Sequence, residues 1–161
     1  MDMEVLKKNY HLSHKVGVMM MKVFGALREI RQTQKSIKTV MELVKDTDIK
    51  NKKELMAEAK VLDEKLKALS EKVRPDSHRQ GIPDRSAALS SKIFMLFREV
   101  ANNFEPLTQA AEVQLKKTKA LVEEFFGEYN QLFQTEVEAF KKRVADSDVS
   151  LFKTFKPLSL N

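Results

Sequence analysis

The sequence predicts an all-α chain: an elongated antiparallel bundle of four helices, two long outer ones and two shorter middle ones, with an extended C-terminal tail packed on it. Three observations predict this. Apolar residues recur in steps of three and four over stretches far longer than a strand, which is the period of a helix that keeps one seam on a neighbour. Only four glycines and four prolines punctuate 161 residues, few for the turns of a sheet protein. Hydrophobic residues make up 42% of the chain, enough for one core, and residues 1–161 read as a single domain.

The first helix spans about 4–44, with Leu12, Val16, Met20, Val23, Leu27, Ile30, Ile37, Met41 and Val44 in its seam. Gln34 is the one polar slot. A helix of about 40 residues is about 60 Å long, too long for a round globule. Asp46, Thr47 and Asp48 supply its stop and the capping oxygens for a second helix over about 51–73, with Leu55, Leu62, Leu66, Leu69 and Val73 inward. Pro75, Gly81 and Pro83 then forbid a continuous helix through 74–85.

Ser86, or Asp84 before it, is expected to cap a third helix over about 87–103. Its stripe of Leu89, Ile93, Leu96 and Val100 is widened by Phe94 and Phe97, so this helix is expected to be covered on several sides. Pro106 ends it, and Thr108 caps a fourth helix over about 109–145. The seam there reads Ala111, Leu115, Thr118, Val122, Phe125, Tyr129, Leu132, Glu136, Phe140 and Val144. Glu136 is the odd member, and Val137 beside it can take the inward place. In the tail, 146–161, Leu151, Phe152, Phe155, Leu158 and Leu160 surround Pro157, the composition of an extended segment that packs back on the bundle. Short loops favour up-down-up-down connectivity. The Pro/Gly loop also permits the two middle helices to lie end to end as one broken antiparallel partner.

The absence of cysteine excludes a disulfide framework, a thiolate zinc site and thiol catalysis. No apolar run reaches the roughly 18 residues of a membrane span, and the N-terminus lacks the layout of a signal peptide. His11 and His14 share a helical face, but a metal site needs further ligands, and His78 stands in a polar loop. Glu123 with Glu124, and Glu136 with Glu138, are adjacent or near-adjacent acids without an evident cleft between tuned partners. Gly17, Gly25, Gly81 and Gly127 form no phosphate-binding loop. Gly17 and Gly25 read as a close helix approach, and Gly127 as room for a neighbouring ring. No catalytic residue, cofactor or metal is expected.

The net charge of +6 arises from 29 basic and 23 acidic residues. Its densest basic groups, Lys116, Lys117, Lys119 and Lys141-Lys142-Arg143, are interrupted by acids, which disfavours nucleic acid as a partner. Met19-Met20-Met21 reads as core filler with one side chain turned outward. Val18, Met19 and Phe152 are the candidates for an apolar interaction surface.

The second half carries an ordered set of signals. Gln80-Gly81-Ile82 leads into the third helix, and Glu105-Pro106-Leu107-Thr108 starts the fourth. Phe125-Phe126-Gly127-Glu128-Tyr129-Asn130-Gln131-Leu132-Phe133 follows, then Val137-Glu138-Ala139-Phe140 and Ser150-Leu151-Phe152-Lys153-Thr154-Phe155-Lys156-Pro157-Leu158. This order resembles the C-terminal helical region of the bacterial sortilin-like BNR-repeat proteins, large β-propeller proteins loosely labelled glycosyl hydrolases. Tyr10-x-Leu12-x-x-Lys15-Val16 and Leu27-Arg28-Glu29-Ile30-Arg31 are similar to the helix that follows the propeller in that family. The resemblance implies a non-catalytic accessory module, secreted or periplasmic, that packs on its own upstream propeller or presents a surface to another protein. It carries over no catalytic residue. Two other readings stand beside it: a free-standing adaptor bundle that binds a partner helix, and a weak binder of nucleic acid or acidic surfaces. The sequence specifies neither the partner nor the oligomeric state.

Overall fold

The computed structural model describes residues 2–75 and 86–149. Every regular element among them is helical: α1 (Met3–Asp46), α2 (Lys52–Val73), α3 (Leu89–Ala101), α4 (Gln109–Leu132), a π-helical turn (Phe133–Val137) and α5 (Glu138–Ala145). The all-α bundle expected from the periodicity is the fold.

Side-chain pairings fix the register of these helices. Gln34 of α1 meets Asp63 of α2, while Asn9, near the start of α1, reaches the carbonyls of Asn103 and Glu105 just beyond α3. The chain therefore runs up α1 and down α2 and then α3. From α4 to α5, Glu128, Glu136 and Arg143 pair in turn with Lys72, Lys65 and Glu58 of α2, so this last rod runs parallel to α1. Of the two connectivities the sequence permits, the structure adopts the broken antiparallel partner. Length explains why: α3, at 13 residues, cannot cover the seam of the 44-residue α1, but α2 and α3 in line can. The two middle helices meet at one level. Arg74, Pro75, Ala88 and Ser90 adjoin Met20 and Phe24 of α1, and Lys72, Ala87 and Leu89 adjoin Leu121 and Phe125 of α4.

The core is the set of seams seen in the sequence. Val16, Val23, Leu27, Ile30, Ile37 and Val44 of α1 pack with Leu62, Leu66, Leu69 and Val73 of α2, with Ile93, Leu96 and Val100 of α3, and with Val122, Phe125, Val137 and Phe140 of the last rod. Gln34, the polar slot, is accommodated because its Nε2 donates to Asp63 Oδ1 at 3.0 Å at the edge of the core. The fourth helix is not one uninterrupted α-helix as expected. A π-helical turn inserts one extra residue into the 3.5-residue period, so the inward position after Leu132 and Phe133 falls on Val137, not Glu136. Glu136 turns out to Lys65, 2.7 Å away.

Helix ends depart from expectation in three places. Thr47 closes α1, its Oγ1 donating to the Leu43 carbonyl at 2.8 Å, and α2 starts beyond it with Asn51 as an N-cap that makes no side-chain bond. Asp46, Thr47 and Asp48 thus finish one helix rather than start the next. The N-cap of α3 is Ala88, which has no capping side chain, so Ser86 does not hold that position. Asp84 lies outside the described residues. The third helix also ends at Ala101, several residues before Pro106, whereas Thr108 does cap α4, accepting from the Ala111 amide at 3.2 Å. At the C-terminal end, Ser147 turns back on Val144, and Val149 packs against the core. The remainder of the expected tail, Phe152 included, lies outside the described residues.

Candidate interaction surface

Polar chemistry is dispersed over outer faces. His11 and His14 are both exposed, and His11 stacks edgewise on Tyr10; His78 lies outside the described residues. No three His, Asp or Glu side chains among the described residues gather as a metal-binding group. Glu123 faces Lys119 at 3.8 Å, Glu138 faces Lys141 at 2.7 Å, and Glu58 holds Arg143. The densest basic runs therefore have acids as immediate neighbours. Burial, and after it the Glu29 carboxylate, raise the phenol of Tyr129 above its ordinary value of 10.0. Tyr129 stacks on Phe133 of the same rod with ring centroids 4.4 Å apart, and both rings pack against the core.

Sequence reasoning missed the buried polar lock at the other end of the bundle. Asn9 is buried, and its Nδ2 donates to the carbonyls of Asn103 and Glu105 at 2.9 and 2.8 Å. One amide thereby satisfies two backbone acceptors in the α3–α4 connection and ties it to α1. A lone Asn on a helix carries no signal of such distant partners.

The apolar surface differs in membership from the one expected. Val18 is exposed, at 38%, but Met19 packs against the core, so these neighbours do not form one surface. Met20 is also partly buried, and Met21 is the methionine turned outward, at 72%. Met21 stands one turn from both Val18 and Phe24. Phe24 and Phe94, 37% and 53% exposed, share with Met20 and Pro75 a hollow of about 270 Å³ between α1 and α3, at the break in the middle rod. The expectation that Phe94 is covered is overturned: the inward stripe of α3 is already filled by Leu89, Ile93, Leu96 and Val100, and Phe94 projects beyond it. Phe97, its partner in that expectation, does pack inward over Gly17.

Among the described residues, Gly17, Gly25 and Gly127 are not sites of close approach. A Cβ on Gly17 would meet Phe97 at an ordinary 3.7 Å, and one on Gly25 or Gly127 would meet nothing within 4 Å. No ring needs the space beside Gly127.

No described helix is long and apolar enough to cross a membrane. Compared with protein-family models, with curated proteins and with solved structures, the chain finds no match.

Proposed function

We propose that this chain is a non-catalytic helical interaction module, and that it meets its partner through the α1–α3 face around Met21, Phe24 and Phe94. The observation that carries the reading is the shared hollow of Phe24 and Phe94: large apolar side chains left in water beside a well-filled core. Such a face is stabilised by burial against another surface, at roughly 25 cal/mol per Å² of apolar area removed from water. The resemblance to the C-terminal region of sortilin-like BNR-repeat proteins supplies the partner: an upstream propeller of the same polypeptide, in a secreted or periplasmic protein. The coding sequence ahead of Met1 tests this. Where it encodes a propeller, hydrogen exchange on the joined protein should protect the segments around Phe24 and Phe94 relative to the isolated module. An unchanged exchange pattern there removes the reading.

The same hollow favours a second reading, in which the groove between α1 and α3 receives the apolar stripe of a helix from another protein. A reading frame that opens at Met1 with no propeller favours this adaptor role. Binding of nucleic acid is the weakest reading, because the basic runs are interleaved with paired acids. A binding titration at about 50 and 200 mM salt checks it, since phosphate contacts lose affinity steeply over that range.

A further inference from the structure

The outer side of α1 carries an inference that does not depend on the partner proposed above. Val16, Val23 and Ile30 turn one side of this helix into the core. Met3, Tyr10, Val18 and Met21 are all exposed and lie on the opposite side, because their spacing is that of successive helical turns. Cations frame this apolar strip. Lys8, Lys15 and Lys22 recur at every seventh position and make one row beside it, and Lys7 and Arg28 stand toward its two ends. All five are exposed, and Glu4 is the one acid between Met3 and Arg28. Among the described residues none of these five cations makes an ion pair, whereas Lys65, Lys72, Lys119, Lys141 and Arg143 on the other rods are each paired with an acid.

We propose that this side of α1 lies on the surface of an anionic lipid bilayer, with the apolar strip at the boundary of headgroups and acyl chains and the lysines on lipid phosphates. Charge selects the sign of the occupant. A second copy of the chain would set rows of like charge against each other, which opposes pairing. The hydrocarbon between the cations selects the rest: the occupant must offer an apolar depth as well as anions. Nucleic acid offers bases that stack on aromatic rings, and Tyr10 is the strip's one ring. Shape agrees with this. Met3, Tyr10, Val18 and Met21 line none of the hollows described above, so the strip is convex where a bound peptide wants a slot. A rod of about 38 Å from Met3 to Arg28 can instead lie flat in the plane of a membrane surface. The lysine stems then run along the apolar strip while their ammonium groups reach the phosphates, and the Tyr10 phenol stays at the wet boundary.

Because the chain has no tryptophan, a single one reports where a bilayer is met. In the full chain, Tyr10→Trp should shift its emission to the blue on vesicles of equal phosphatidylglycerol and phosphatidylcholine. Pure phosphatidylcholine should leave it unmoved. Val61→Trp, on α2 beside the last rod, should stay unmoved on both. Lys15→Gln with Lys22→Gln should weaken binding to the anionic vesicles roughly twenty-five-fold, about fivefold for each lysine removed. All four positions are exposed, so these changes leave the core intact. No shift at Tyr10→Trp on the anionic vesicles overturns the proposal. So does an equal shift on the neutral ones, which is adhesion without charge, and so does a shift at Val61→Trp, which places the contact elsewhere. A shift that grows with protein concentration in the absence of vesicles makes a second copy the occupant. Tighter binding to single-stranded DNA than to vesicles makes it nucleic acid, and either result also sinks the idea. The α1–α3 hollow is tested separately, since Phe24 and Phe94 are untouched in every variant.

Discussion

The two halves of the middle rod lie end to end against the same helix, α1, yet present different surfaces. α2 is laced to the last rod by the ion pairs of Glu58, Lys65 and Lys72, and its exposed side is largely charged. α3 exposes Phe94 and Met95, with Phe104 just beyond it, and the stretch of α1 beside it exposes Tyr10, Val18, Met21 and Phe24. Equal core packing inside therefore goes with unequal finishing outside. The α2 half meets water with charged side chains, and the α3 half meets it with large apolar ones. The break at 74–88 allows this difference, because it lets each short helix set its own outer face while both continue one inward seam.

The strongest way to probe the contrast is to open the core on each side in turn. Leu66→Ala and Ile93→Ala should each cost about 2–5 kcal/mol, read as a drop in the denaturant midpoint. Hydrogen exchange should then show the α3 half loosening first in the Ile93→Ala chain, since 13 residues hold it. Asn9→Ala leaves the Asn103 and Glu105 carbonyls without their donor and should cost about 1–3 kcal/mol. Its effect in exchange should be confined to the α3–α4 connection. Gly127→Ala goes the other way. With nothing near the new methyl, helix propensity gains close to 1 kcal/mol, and the melting temperature should rise by about 2–4 °C. Lys65→Ala, which breaks one exposed rung, should change stability by less than about 1 kcal/mol.

The smallest effect appears only in alkali. Tyr129 has its phenol raised in the fold, so the folded state favours the protonated form. Its contribution is intact below the ordinary tyrosine range and is lost as pH climbs through the raised value. Tyr129→Phe should leave the neutral-pH midpoint nearly unchanged and flatten the alkaline fall in a urea titration.

How much of this was legible depended on whether the signal was local. The seams were readable because burial imposes a period on each helix, and even Glu136 could be seen to cede its place to Val137. Thr108 announced its helix because a cap and its amide lie within three residues. Thr47 misled, since a hydroxyl after a long helix closes the old turn as readily as it opens a new one. Asn9 was silent because its acceptors, the Asn103 and Glu105 carbonyls, lie 94 and 96 residues away in the sequence. Phe94 misled differently: its position shows that it flanks the seam, but its exposure depends on which rods flank α3, a property of the assembled bundle. Of the apolar side chains exposed on the α1–α3 face, Val18 and the outward turn of one methionine were readable.

The single added residue at Phe133–Val137 also has a consequence for reading relatives of this protein. A chain that makes the same rod without the π-helical turn will align with this one only through a one-position gap in mid-helix. Any heptad frame carried across that point without the gap will name the wrong inward residues from there to Ala145. Deleting Gln134 tests the geometry directly: the π-helical turn should give way to an uninterrupted α-helix that keeps Val137 in the core. Inserting a further residue there should instead rotate the distal rod by about 100° and turn Val137 outward.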